Sequence, residues 1–224
     1  MAKVTTLDSQ DSPLSQELAQ LEAVVEKICA RIGADHKKGL DALKECLGQG
    51  YALLFPALRR LAQDGNDEVR RALVQAIAEA ADPADPFRAP FLLEILSPLL
   101  CDQIPGIRLA ARRVLRKKLL AIYPEETVEV LVQWAAEPDP ARKTLAAQML
   151  GHVPPKLARQ ALIALKHLAR TGQRKLRPAI FMALRRLAQT APQVVGPELS
   201  RWQADPDLAP LVQKALDGQK LPQS

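Results

Sequence analysis

Apolar residues recur every three or four positions along most of the chain, which is the spacing of helices that bury one face. The first such stripe consists of Leu18, Leu21, Val24, Val25 and Ile28. It predicts an amphipathic helix that begins near Ser15 and ends at about Gly33. A shorter helix is predicted from about Lys38 to Leu47, where glycines follow.

A block of sequence then repeats after 38 residues, and this repeat is the strongest structural signal in the chain. Leu58, Asp64, Val69, Arg70 and Ala72 in one copy correspond to Leu96, Asp102, Ile107, Arg108 and Ala110 in the next. A third copy starts after Pro124, with Val130, Leu131 and Trp134 on its first helix. A period of this size, built from two helices and a tight turn, predicts an α-solenoid.

The spacing divides the chain as follows. We expect a tail over 1–13, one solenoid domain over 14–217 and a second tail over 218–224. Within the domain, the pattern predicts capping helices at 14–48, repeats at about 50–82, 86–122, 124–152 and 155–190, and a C-terminal cap at 192–217.

The repeated residues resemble HEAT repeats, in which a proline and spaced leucines mark the first helix and an aspartate marks the turn. The first full copy matches this pattern at Leu54, Pro56, Leu58, Leu61, Asp64, Val69, Arg70 and Ala72, and the second matches at Pro98, Leu99, Asp102, Ile107, Arg108, Ala110 and Ala111. The resemblance covers roughly 50–217 and implies an all-α, right-handed superhelix of helical hairpins (armadillo-like) that serves as a binding surface. It also implies that Arg70 and Arg108 bond the turn aspartates Asp64 and Asp102.

Composition agrees with helices and excludes several other classes. The chain is 48% hydrophobic but only 4% aromatic, and alanine and leucine supply most of the apolar part, which favours close-packed helices over sheets. No apolar run approaches a membrane span and the N-terminus lacks the hydrophobic segment of a signal peptide, so we expect a soluble cytoplasmic protein.

Charge is distributed unevenly along the chain. Residues 1–100 hold 11 Lys and Arg against 15 Asp and Glu, a net charge of −4, whereas residues 101–224 hold 20 against 10, a net charge of +10. From Pro140 to Pro197 there are eleven basic side chains and not one acid. Helices usually interleave both signs, so this stretch indicates an external anion as the counter-charge.

We therefore expect a non-catalytic binding scaffold whose C-terminal half engages an anionic macromolecule, with double-stranded nucleic acid as the first candidate. The side chains expected to contact backbone phosphates are Arg112, Arg113, Arg116, Lys143, Arg174, Lys175, Arg177 and Arg185. Those near Arg177 lie at a predicted helix N-terminus, whose free amides also favour phosphate. An adaptor that docks an acidic protein is the alternative, and single-strand binding is disfavoured because aromatic residues are few.

A second, weaker resemblance is to the bacterial alkylpurine DNA glycosylases, which are built from HEAT-like repeats. It rests on the segments Leu184–Val195 and Tyr123–Trp134. It implies a basic channel for duplex DNA and an aspartate with tryptophans at the reaction centre. Asp102 lies in a turn without a tryptophan, and the spacing of Trp134 and Asp139 fits a packed anchor and a turn cap better than a catalytic pair.

Other chemistry has little support in the sequence. Cys29, Cys46 and Cys101 are odd in number and form no CxxC, and the three histidines lack metal-ligand spacing. No phosphate-binding or nucleophile motif occurs. We expect no enzyme activity, no metal and no cofactor.

Overall fold

The computed structural model describes residues 13–49 and 51–216, and their ordered elements are helices. The α-helices are α1 (Pro13–Ala34), α2 (His36–Gln49), α3 (Tyr51–Leu61), α4 (Asp67–Ala80), α5 (Ala89–Leu96), α6 (Pro105–Val114), α7 (Leu120–Ile122), α8 (Pro124–Ala136), α9 (Pro140–Leu150), α10 (Ala158–Arg170), α11 (Arg177–Thr190), α12 (Pro192–Gln203) and α13 (Ala209–Leu216). Among these residues there is no strand. The tails expected at 1–13 and 218–224 lie outside the described residues, apart from Pro13, where α1 begins.

The chain divides into two compact units. The first comprises the residues up to Ala80 together with Glu94–Ala111, and the second comprises Ala81–Leu93 and the residues from Arg112 onward. The single domain expected over 14–217 stays a prediction.

In the second unit, helices pack in the order of an α-solenoid. Each helix contacts the next one along the chain and the next but one, so that α8, α10 and α12 form a first layer and α9, α11 and α13 form a second. In the first unit, α1 to α4 follow the same rule. Each hairpin thus buries its apolar face against a neighbouring hairpin, and the all-α, solenoid-type fold class is confirmed. Its right-handed sense stays a prediction.

Local sequence explains where the helices begin. Proline stands in the first turn of α8, α9 and α12, where its missing N–H has no partner to lose. Asp139 caps α9 by accepting a hydrogen bond from the Ala141 N–H at 2.8 Å, and Asp35 accepts from the amides of Lys37 and Lys38 before α2. Gly172, with φ of 69°, follows α10 in the left-handed conformation that glycine adopts most readily.

Two turn arginines of the first unit hold the repeats together, one by bonding to the next repeat and one by bonding within its own turn. Arg70 on α4 donates from Nε to Oδ2 of Asp102 at 2.7 Å and from its guanidinium to the carbonyl of Asp64. Arg108 on α6 donates to the carbonyl of Asp102. The structural role expected for both arginines is therefore confirmed.

The apolar period between Ile107 and Ile122 predicts one unbroken α-helix, and the structure interrupts it. A π-helical turn, Leu115–Leu119, separates α6 from α7. A π turn holds about one more residue than an α turn, so the buried stripe shifts by one position. Leu120 and Tyr123 are buried as a result, and Ile122, which the α-helical period placed inside, is half-exposed.

Candidate anion-binding surface

All eight side chains expected to contact phosphate belong to the second helices of their hairpins, within the second unit. Arg112 and Arg113 end α6, Arg116 lies in the π turn, Lys143 is on α9, and Arg185 is on α11. Arg174 and Lys175 form a 3-10 turn, Arg174–Leu176, that leads into α11 at Arg177. Leu176 is buried and this turn packs against α9, which fixes Arg174 and Lys175 at the surface.

Five of the eight are open to solvent: Arg113, Arg116, Arg174, Lys175 and Arg177. We call this set the second-helix basic surface. None of the ion pairs found in the described part of the chain involves one of these five. Arg185 is also exposed and Arg112 is half-buried.

Lys143 does not fit the expectation. Its residue is only 9% exposed, because α9 turns this position toward neighbouring helices. The sequence of α9 is only weakly amphipathic. For this reason the helical pattern did not indicate that Lys143, which lies among small residues, would be buried.

Three basic residues of the first-helix layer have acidic partners that the linear stretch concealed. Lys156 pairs with Glu125, Lys166 lies 3.8 Å from Glu198, and Arg170 lies 3.0 Å from Asp205. Hydrogen bonds from Lys156 and Arg170 hold the pKa of Glu125 and of Asp205 below their usual range. For these residues, neighbouring hairpins supply acids that the linear stretch lacks.

Two basic side chains, those of Arg142 and Lys166, pack on the buried tryptophans. Arg142 lies over the Trp134 ring at 5.6 Å from its centroid and bonds both carboxylate oxygens of Glu137. Lys166 lies over Trp202 at 5.7 Å, and the Trp202 indole donates to Glu198. These cations stabilise the packing of their hairpins by cation–π contact.

A cluster that the sequence did not reveal surrounds His152, in the turn after α9. A cleft of about 420 Å³ is lined by Arg116, Leu120, Ala121, Pro124, His152, Pro154 and Lys156, and we call it the His152 cleft. Arg186, on α11, contacts His152 Nε2 through its guanidinium. Nothing in the linear sequence links 116, 152 and 186, and only the stacking of hairpins brings them together.

The ionisation of His152 follows from these neighbours. Arginine can only donate hydrogen bonds, so Nε2 is the acceptor and the imidazole is neutral with its proton on Nδ1. Burial first, and then the positive charges of Arg186, Arg116 and Lys117, lower the pKa of His152 from 6.5 to about 4. The site is therefore a concentration of positive charge around a neutral ring.

A second cleft, of about 580 Å³, lies beside Arg177 between α11 and α13. It is lined by Ala169, Gln173, Arg177, Pro178, Ile180, Phe181, Met182, Asp207, Leu208, Pro210, Leu211 and Lys214, and we call it the Phe181 cleft. Its walls are mostly apolar, and Lys214 lies over the Phe181 ring at 5.6 Å.

The residues that the glycosylase resemblance singled out have structural contacts. Trp134 is buried, Asp139 caps α9, and the Asp102 carboxylate is bound by Arg70. The anchor and cap roles expected for Trp134 and Asp139 are thus confirmed. The three cysteines are free, and burial raises the pKa of Cys29 to about 11, which keeps it a thiol at neutral pH.

Two other types of site are absent from the described residues. No three or more His, Cys, Asp and Glu side chains converge there as a metal site would require. No described helix is long and apolar enough to cross a membrane.

Fold and surface together define a helical-repeat protein with a charged second-helix layer. Residues 54–151 match the family model described as HEAT repeats. Among curated proteins, none matches this chain. The match covers the two copies in which the repeat was first recognised and the hairpin that follows them.

Solved structures to which this chain is similar include designed proteins. An engineered protein shares 17% identity, over 87% of this chain and 95% of its own, with a TM-score of 0.38. A designed armadillo repeat protein in complex with the peptide (KR)4 shares 16%, over 88% and 98%, with a TM-score of 0.37. Another designed armadillo repeat protein shares 17%, over 88% and 98%, with a TM-score of 0.38.

Proposed function

We propose that this chain is a non-catalytic binding scaffold whose second unit engages double-stranded nucleic acid through backbone phosphates. The partner's negative charges would be neutralised by the second-helix basic surface, with Arg112 and Arg185 beside it. Recognition of this kind fixes the position of the duplex and carries no base specificity.

The observation that carries the proposal is the segregation of charge between the two helix layers. On the first helices, Lys156, Lys166 and Arg170 are neutralised by acids of adjacent hairpins. On the second helices, the five members of the basic surface are exposed and have no such partner among the described residues. Holding like charges together on one layer costs free energy, which an anionic ligand would recover.

The distribution of aromatic side chains favours a duplex over a single strand. Both tryptophans and Tyr123 are buried in the second unit, where they cannot stack on bases, and the exposed Phe87 does not form a row of stacking platforms with them. Single-strand binders rely on such stacking, whereas a duplex is held by phosphate contacts that require only cations.

The test is fluorescence anisotropy of a labelled random duplex titrated with protein over a salt series. One variant, R113Q/R174Q/K175Q/R177Q, removes four charges from the second helices. The matched control, R159Q/K166Q/R170Q/R201Q, removes four charges from the first helices α10 and α12. Circular dichroism melts of both variants verify that each is folded.

We expect the affinity of the wild-type protein to fall steeply with salt, and the slope of log K against log salt to decrease by about one for each contacting residue removed. The control should keep the wild-type slope. Equal losses of duplex affinity in both variants would mean that net charge alone determines binding. Absence of binding at low salt would refute the proposal.

The Phe181 cleft favours a second candidate, an adaptor for an acidic protein segment. Met182 is 51% exposed at its rim and Arg177 stands beside apolar walls, an arrangement that suits an acidic peptide with one apolar anchor. A short polyglutamate peptide with a central leucine would bind the wild-type protein and lose affinity in M182D. The same variant should leave duplex binding unchanged, which separates the two functions.

A further inference from the structure

We propose that the His152 cleft is a discrete binding site for one phosphate group, held by Arg116 on its lining and by Arg186, which contacts His152, with Lys117 adding positive charge nearby. The inference rests on the proposed function for the identity of the phosphate, which would be a backbone phosphate of the bound duplex. It goes further by naming one position on the basic surface, beside Arg116 and His152, where a single phosphate would be bound.

The first argument is the shape of the site. The cleft of about 420 Å³ falls in the range of about 300 to 1,000 Å³ that is usual for small-molecule sites. Leu120, Ala121, Pro124 and Pro154 contribute apolar surface to the cleft beside its charged groups. Arg116 and His152 lie on the same lining.

The second argument is the arrangement of charge on every element that faces His152. Arg116 and Lys117 come from the π turn and Arg186 comes from α11, and all three act on the ring by their positive charge. Lys156 also lines the cleft, but Glu125 of α8 neutralises it. The Glu125 carboxylate is therefore already paired with Lys156. An anion in the cleft would meet a net positive environment.

The third argument is the hydrogen bond between Arg186 and His152. A guanidinium usually binds carboxylate or phosphate, its strong partners, whereas here it donates to a neutral ring nitrogen. A phosphate in the cleft offers Arg186 a better acceptor. The same negative charge would stabilise a proton on Nε2, so His152 becomes a second donor to the bound anion.

Binding at this site should therefore take up a proton, which gives a readout that ordinary surface binding does not. The imidazole Cε1–H resonances of the protein are followed by NMR from pH 4 to pH 8, alone, with sulfate, and with a saturating random duplex. Sulfate and phosphodiesters do not change charge in this range, so the ligand itself contributes no titration. His36 and His167 are internal controls, because both lie outside the cleft.

We expect either ligand to raise the pKa of His152 by about 1 or more, as a nearby opposite charge does. R186Q should abolish the ligand-induced shift, while R170Q, which removes the same charge from α10, should retain it. A circular dichroism melt of R186Q distinguishes loss of the site from loss of the fold.

The combined results separate this inference from the proposed function. Duplex binding with an unchanged His152 resonance would overturn the phosphate site and leave the scaffold function standing. A sulfate-induced shift without duplex binding would support the site and refute the nucleic-acid partner. If neither ligand moves the resonance and no duplex binds, both are wrong.

Discussion

Arg70 and Asp102, 32 residues apart, form a nearly buried ion pair that joins two successive repeats. The Nε to Oδ2 distance is 2.7 Å, and the side chains are only 12% and 6% exposed. Asp102 also accepts from the Ile104 N–H at 2.8 Å, and Arg70 reaches back to the Asp64 carbonyl. One arginine thus satisfies a carbonyl of its own turn and a carboxylate of the next, which fixes the spacing of the hairpins.

Removing this arginine should destabilise the first unit. R70A leaves the Asp102 carboxylate buried without its counter-charge, and we expect a loss of about 3 kcal/mol in the free energy of unfolding. Urea denaturation followed by circular dichroism measures it. R71A is the matched control: it removes a pair with Asp67 whose members are about half exposed, so the loss should stay below about 1 kcal/mol. Equal losses would contradict the bridging role of Arg70.

The repeat itself could be predicted from the sequence because each element of it is encoded locally. Leucines at helical spacing, a turn aspartate and the arginine after the next valine all recur within one hairpin, and the contacts that they predict were found between Arg70, Asp64 and Asp102. The π turn could not be predicted in this way. Residues 115–119 read Leu-Arg-Lys-Lys-Leu, which fits an α-helix equally well, and the burial of Tyr123 reveals the shift.

The candidate site was predictable only in part, because charge along the chain is not charge in space. The stretch from Pro140 to Pro197 contains no acid, yet Lys156, Lys166 and Arg170 find carboxylates 31, 32 and 35 residues away on adjoining hairpins. Conversely, Arg186 and His152 meet across 34 residues, and no local pattern marks that contact. Pairings between hairpins depend on packing register, which single-helix periodicity does not contain.

The Tyr123 side chain forms hydrogen bonds with the backbone of Asp82 within the second unit. Its hydroxyl donates to the Asp82 carbonyl at 2.7 Å and accepts from the Asp82 N–H at 2.6 Å. Burial raises the pKa of this phenol, which keeps it protonated as a donor. Y123F removes the hydroxyl and leaves two backbone groups without partners, so we expect a loss of about 1 to 3 kcal/mol in unfolding free energy.

Chemical denaturation of Y123F should be compared with that of S200A. Ser200 bonds only to a carbonyl one turn earlier on an exposed helix face, so its loss should change stability little. If Y123F unfolds at the same denaturant concentration as the wild-type protein, water replaces the hydroxyl and the Asp82 contact is not stabilising.

Gly151 allows α9 and α11 to approach closely. A Cβ at this position would lie 2.7 Å from the Ala183 Cα, closer than packed atoms allow. G151A should therefore push the helices apart and cost about 1 to 3 kcal/mol. G33A, where a Cβ meets nothing within 4 Å, should be neutral or stabilise α1 by up to about 1 kcal/mol. Thermal melts that rank the two variants in the opposite order would contradict this packing.

Stability should fall between neutral and mildly acidic pH because of His152. Its pKa is about 4 in the folded protein and 6.5 in its ordinary state, so in the interval between them the unfolded chain binds a proton that the folded chain does not. Lowering the pH through this interval therefore favours unfolding: the stabilisation is complete above about pH 6.5 and is lost progressively toward pH 4. The pKa values of Asp102, Glu125 and Asp205 are lowered from ordinary values of 3.8, 4.5 and 3.8, so the contribution of these carboxylates to stability changes mainly below about pH 5. Urea midpoints measured from pH 7.5 to pH 5 should thus fall in the wild-type protein and change much less in H152Q, whose amide can still accept from Arg186. H167Q, which changes an exposed position on α10, is the control and should keep the pH dependence of the wild-type protein. If the urea midpoint of H152Q falls in parallel with that of the wild-type protein, the His152 ring titrates normally.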